Sequence, residues 1–148
     1  MFFFENYLKK LYFCRMKGKD NMAMEIPNIL TGDETLSDLL LLSYSIERAI
    51  EDKEHEVIST MKSCLEEAFG VRFEDISISK SKMADKRKIF SYNCFMAGVR
   101  INTICETLGH HRATIRYYIY NYRELYKYDK DFRMMADKFK ETTDRRII

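Results

Sequence analysis

The stretch from Arg100 to Tyr126 reads RINTICETLGHHRATIRYYIYNYRELY, and its pattern decides the fold. Ile101, Ile104, Cys105 and Leu108 stand at i, i+3, i+4 and i+7, which is one apolar face of a short helix. Gly109 follows at once, where a tight turn after a helix favours positive φ. His110, His111 and Arg112 fill the turn, and a second helix then carries Ile115, Ile119, Tyr122 and Tyr126 as its apolar stripe. A short helix, a glycine turn and a second helix with a β-branched residue buried early make the layout of a helix-turn-helix. A plain αα-hairpin in a helical bundle is the competing reading of the same pattern.

The second helix also has the outer surface of a DNA reader. On a 100° wheel Arg112, Arg116, Tyr120 and Arg123 align beside the apolar stripe, with Ala113, Tyr117 and Asn121 roughly opposite it. An α-helix fits the major groove, where arginine suits guanine edges and small residues or Thr approach thymine methyl groups. Arginine and small residues in the first turn suit base edges, Thr114 suits either a base or a phosphate, and the later arginines are expected to hold phosphates. His110 and His111 read either as solvated turn residues or as base readers. The six tyrosines between Tyr117 and Tyr128 read first as packing residues.

Outward from this stretch, the composition is that of an all-α protein. Five Gly and one Pro among 148 residues leave too few turn formers for an all-β fold. A helix is expected from about Met83 to Gly98, with Ile89, Tyr92, Cys94, Phe95, Met96 and Val99 on its buried side. Lys86, Arg87 and Lys88 crowd its first turns, against the helix macrodipole, which suggests either an external anion or a loop folding over them. Residues 77–82 read as a polar, basic loop carrying Lys80 and Lys82. Further upstream, a helix is expected over 34–49, an acidic stretch over 51–56, and another helix whose Val57, Ile58, Met61, Leu65, Ala68 and Phe69 recur at helical spacing before Gly70. Residues 26–32, with Pro27 and Gly32, read as a linker. Residues 1–21 form an aromatic segment, read either as upstream of a true start at Met22 or Met24 or as a docking helix.

Charge is divided along the chain. Residues 21–70 hold three Lys/Arg against eleven Asp/Glu, and residues 71–148 hold seventeen against ten. Either a polyanion partner for the C-terminal part or a solvated helical surface that happens to be basic accounts for it. The four cysteines, Cys14, Cys64, Cys94 and Cys105, form no C-x-x-C pair and read as free thiols of a reducing compartment. The three histidines lack metal-ligand spacing with them, so no metal site and no cofactor are expected. No run of about 18 apolar residues marks a membrane span. No nucleophile–base cluster stands at useful spacing, so an enzyme is not expected.

The C-terminal part resembles a known family, the DNA-binding domain IV of the bacterial replication initiator DnaA, over about residues 57–141. The segments Glu67-Ala68-Phe69-Gly70-Val71 and Phe73-Glu74-Asp75-Ile76 are similar to the family's opening helix and the short element after it. Ser79-Lys80-Ser81-Lys82 sits where the family has its basic loop, and Lys86-Arg87-Lys88-Ile89 with Tyr92 resembles the Ala-Arg-Gln-Ile and tyrosine of its central helix. His110-His111-Arg112-Ala113-Thr114-Ile115 lies over the signature Arg-Asp-His-Ser/Thr-Thr-Val, and Lys130-Asp131-Phe132 resembles the step opening the last helix. The resemblance implies an all-α fold of the Trp-repressor helix-turn-helix class, preceded here by extra N-terminal helices. It implies Lys80 and Lys82 in the minor groove, Arg87 at backbone or base, and Arg112, Ala113 and Thr114 facing bases in the major groove. Of the signature only Thr114 and the apolar Ile115 stand, with His111, Arg112 and Ala113 in place of its Asp, His and Ser/Thr, and no G-x-x-x-x-G-K-[ST] occurs, so the family's ATPase module is absent.

The expected organisation is an aromatic segment over 1–21, an acidic helical region over 22–56, a DNA-binding domain over 57–141 and a tail over 142–148. The expected function is sequence-specific double-stranded-DNA binding, as a replication-initiator-like accessory or a transcription regulator in a bacterial cytoplasm, nucleoid-associated or on a mobile element. The expected DNA contacts are Lys80, Lys82, Lys86, Arg87, Lys88, His110, His111, Arg112, Ala113, Thr114, Arg116, Tyr117 and Arg123. The alternative is a protein–protein module that reuses the fold. A homodimer or a protein partner on the acidic N-terminal helices is the accompanying expectation, with no membrane involved.

Overall fold

The computed structural model describes residues 35–78 and 81–147, and these are helical with no strand among them. The chain divides into two compact units, Met1–Ile46 and Glu47–Ile148. The linker expected over 26–32 and the aromatic segment over 1–21 lie outside the described residues. In chain order the helices are α1 (Leu36–Phe69), α2 (Phe73–Ile78), α3 (Ala84–Met96), α4 (Ile101–Leu108), α5 (Arg112–Tyr128) and α6 (Lys130–Ile147), with a 3₁₀ turn at Ser81–Met83.

The break expected at 51–56 is absent, because α1 is continuous for 34 residues. Nothing between Ala49 and Val57 stops a helix: there is neither Gly nor Pro, and Glu and Lys are good helix formers. Lys53 and Glu56 add an i,i+3 ion pair of 2.7 Å. The buried positions of α1 are Glu54, Ile58, Met61, Cys64, Leu65 and Ala68, a single stripe in the second unit. At its start, Thr35 and Asp38 close a reciprocal cap: the Asp38 carboxylate accepts from the Thr35 N–H and hydroxyl, and the Asp38 N–H donates to the Thr35 hydroxyl.

The core of the second unit gathers Leu65 from α1, Ile76 from α2, Ile89 and Phe90 from α3, Ile104 from α4, Ile115 from α5, and Phe132 and Phe139 from α6. α3 lies at its centre and packs on α2, α4, α5 and α6. Its buried residues are Arg87, Ile89, Phe90, Ser91 and Cys94, and of the side expected Ile89, Cys94 and Val99 are buried and Tyr92 half-buried, while Phe95 and Met96 are exposed. A one-residue shift on a helix rotates a side chain by 100°, enough to take Phe95 off the core face.

α4 and α5 are set by local chemistry. Gly109 takes φ +67°, and the His110 N–H reaches back to the Cys105 carbonyl at 3.1 Å, closing α4 with a left-handed cap. The space around Gly109 is open, so the glycine is required by its backbone conformation and not by crowding. His111 is the N-cap of α5, its Nδ1 accepting from the Ala113 N–H at 3.2 Å. The other end of α5 is closed from α6, where the Arg133 guanidinium donates to the Tyr126 and Lys127 carbonyls at 2.7 and 2.6 Å. Asp129 caps α6 through the Phe132 N–H at 3.0 Å.

Candidate nucleic-acid interface

α5 presents one face to the core and one outward. Ile115, Tyr118 and Tyr122 are buried, and Ile119 and Leu125 are half-buried beside them. The expected stripe named Tyr126 and not Tyr118. Tyr126 is instead on the rim, its hydroxyl donating to Asp137 at 2.7 Å. Tyr122 stacks on Tyr92 with centroids 3.8 Å apart and meets Phe132 edge-on. Burial, with the Tyr92 hydroxyl close by, pushes the Tyr122 phenol up to about 12.

The outward face holds His111, Arg112, Ala113, Arg116, Tyr117, Tyr120 and Arg123, all exposed, with Thr114 half-buried at its edge. No acidic residue stands between His111 and Arg123, and the first one met is Glu124. The structure therefore brings the sequence-singled residues of α5 onto one basic, aromatic helix face beginning at a helix N-terminus. Such a face offers guanidinium forks, a methyl group and ring surfaces at the pitch of an α-helix.

The residues expected from outside α5 behave differently. Arg87 is a correction: it is only 6 % exposed, and its Nε donates to the Tyr118 hydroxyl at 3.1 Å while Nη1 donates to the Ile76 carbonyl at 3.0 Å. It ties α2, α3 and α5 together and offers no guanidinium to an outside ligand. The two lysines beside it, both half-buried, also have contacts within the chain. Lys88 pairs with Asp85 at 3.3 Å, and the Lys86 ammonium lies over the Phe69 ring, 5.6 Å from its centroid. His110 is half-buried against Tyr118, with Nε2 3.3 Å from the Ser77 carbonyl, so it braces the turn. Lys80 and the Lys82 side chain lie outside the described residues.

Two features went unread in the sequence. Glu54 is 5 % exposed, and its carboxylate accepts four hydrogen bonds across the start of α4. These come from the Arg100 N–H at 2.8 Å, Arg100 Nε and Nη2 at 3.0 Å each, and the Thr103 hydroxyl at 2.8 Å. Burial works to raise this carboxyl, but the hydrogen bonds from Arg100 and Thr103 outweigh it and hold it below the ordinary range. A carboxylate at a helix N-terminus is also favoured by the macrodipole, so Glu54 fixes where α4 begins. The spacing 54, 58, 61, 65, 68 was the available signal. The second feature is a shallow cleft of about 230 Å³ where α3, α4 and α5 meet, floored by Phe95, Ile101 and Ile119 and rimmed by Arg116, Tyr120 and Arg123.

Among the described residues no cluster of His, Cys, Asp and Glu is placed to hold a metal ion, and no helix is long and apolar enough to cross a membrane. Comparison of the chain with protein-family models, with curated proteins and with solved structures gives no match to any of them.

Proposed function

We propose that this chain binds double-stranded DNA sequence-specifically, with α4, the Gly109 turn and α5 acting as a helix-turn-helix and α5 as the recognition helix. The observation that carries the reading is the division of α5: Ile115, Tyr118 and Tyr122 anchor it from beneath, while Arg112, Ala113, Arg116 and Tyr117 face outward from its first turns. Recognition helices reach base edges with their N-terminal residues, and those are the residues left accessible here. Arg112 is the base reader of this proposal. Arg116 and Arg123 are the phosphate contacts that fix register.

The resemblance to domain IV of the initiator DnaA supports the same reading and suggests a replication-initiator-like accessory or a transcription regulator in a bacterial cytoplasm. The three free thiols at Cys64, Cys94 and Cys105 suit a reducing compartment. The chain is proposed as a binding protein and not as an enzyme. The arrangement of Arg87 differs from the role the resemblance implies, so on this proposal major-groove contacts carry the specificity.

The test is a gel shift with mixed genomic fragments across a salt series. Retention that falls steeply with salt, with a slope of about −0.9 per phosphate contact, is the expected result. Absence of retention even at about 50 mM salt, where phosphate contacts are least screened, would overturn the proposal.

A further inference from the structure

Two surfaces of this chain have complementary chemistry. The first is the cleft beside α5, with an apolar floor of Phe95, Ile101 and Ile119 between Arg116 and Arg123. Those arginines are seven residues apart, two helical turns and about 10 Å along the axis. The second is the start of α1. Leu36, Leu40 and Tyr44 are 74, 62 and 60 % exposed, and they form one stripe at i, i+4 and i+8. Glu47, also exposed, continues that stripe seven residues beyond Leu40. An apolar stripe that carries a carboxylate on the same helix face is complementary in polarity and charge to an apolar floor set between two guanidinium groups. Exposed leucines at this density are uncommon on a surface that meets only water.

We infer that the start of α1 in one copy of this chain docks into the Arg116–Arg123 cleft of a second copy. Leu40 and Tyr44 cover Phe95 and Ile119, and Glu47 pairs with an arginine of the rim. Reciprocal docking closes a two-fold pair, in which each copy supplies one helix and one cleft. The proposal deepens the DNA-binding reading in one respect and rests on it there: Arg116 and Arg123 serve both partners, so self-docking and DNA binding exclude each other at these residues. The paired form is then a reserve that duplex DNA dissolves.

Sedimentation velocity of the full chain without DNA tests the docking independently of any DNA result. The wild type is expected to associate as its concentration rises. Leu36→Ser/Leu40→Ser, a helix-defective variant, and Arg116→Glu/Arg123→Glu, a cleft-defective one, are each expected to stay monomeric when alone. Mixed in equal amounts they are expected to recover a one-to-one heterodimer, held by the single intact helix–cleft contact, at least tenfold weaker than the wild-type pair. Recovery in the mixture itself shows that both variants are folded. Arg116→Gln/Arg123→Gln serves as the cleft variant if far-UV circular dichroism shows the glutamate pair to be unfolded. Self-association of a cleft variant alone overturns the inference, since the helices would then be pairing with one another. A wild type monomeric at every concentration, or a mixture that does not associate, also overturns it. Release of the wild-type dimer by added duplex is the separate readout of the exclusion.

Discussion

Replacing Glu54 with Ala is the perturbation whose consequence follows most directly from the geometry. The carboxylate accepts four hydrogen bonds, and its donors differ in what they can do when it is gone. The Arg100 side chain is 44 % exposed and turns to water, so the ion pair itself contributes little, about 0–1 kcal/mol. The Arg100 N–H and the Thr103 hydroxyl lie against the carboxylate at the mouth of α4 and lose a charged acceptor. Hydrogen bonds to charged groups contribute about 1.5–3 kcal/mol each. Taking the low end for both gives a destabilisation of about 3 kcal/mol for Glu54→Ala, and about half that for Glu54→Gln, which keeps one acceptor oxygen. In a unit of about a hundred residues each kcal/mol moves Tm by about 4–8 °C, so the alanine variant should melt about 12 °C or more below wild type. Urea and thermal unfolding followed by circular dichroism read this out. A double-mutant cycle with Thr103→Val should show coupling of about 1 kcal/mol. A Glu54→Ala protein within about 0.5 kcal/mol of wild type, the usual range for an unremarkable surface substitution, would refute the reasoning.

The same carboxylate gives a pH dependence with a defined sign. Its folded-state pKa lies below its unfolded value, so its contribution is complete above the ordinary carboxylate range of about 4.3 and is lost as pH falls through the lowered folded value. Wild type should therefore lose more stability than Glu54→Gln between about pH 5 and pH 3, which acid titration of the two proteins compares directly. Arg112→Ala should lower affinity for the preferred duplex by about 1–3 kcal/mol and relax its sequence preference, whereas Arg123→Ala should weaken all duplexes alike and reduce the salt slope by about one; competition gel shifts separate the two patterns. Arg87→Met should destabilise the fold, by about 2 kcal/mol for a buried group that leaves Tyr118 and the Ile76 carbonyl without their partner, and change DNA specificity little once the fold is restored by cooling or a stabilising ligand. Burial pushes the Cys94 thiol up, so of Cys64, Cys94 and Cys105 the half-buried Cys105 should be alkylated first and Cys94 only on unfolding, as mass spectrometry of peptides will show.

What could be read in the sequence was what local chemistry decides. The spacing of Ile101, Ile104, Cys105 and Leu108, the glycine after it and the burial of Ile115 are settled within a few residues, and they stand in the structure as expected. What was misread depends on distant partners. Arg87 looks like one of three surface cations until the Tyr118 hydroxyl and Ile76 carbonyl, 31 and 11 residues away, are placed around it. Glu54 looks like one more solvated acid in an acidic run until Arg100, 46 residues on, meets it. Two helices separated by the acidic stretch at residues 51–56 are one in the structure, since Glu and Lys favour helix and no breaker is present. Tyr118 and Tyr126 were exchanged because a tyrosine satisfies an apolar stripe and a polar rim equally well. The basic, aromatic face of α5 was visible in advance because the positions of Arg112, Arg116, Tyr120 and Arg123 on a helical wheel need no tertiary information.

The account depends on the first two turns of α5 entering a groove of duplex DNA. Backbone amide shifts of the ¹⁵N-labelled chain, recorded while a duplex selected from a random pool is added, test this most directly. The largest changes are predicted at residues 111–117, with smaller ones at Arg123 and at the start of α4, and Arg112→Ala should reduce them all. Changes concentrated instead on α6 or on α1, with the amides of Arg112 to Tyr117 unmoved by a bound duplex, would contradict it.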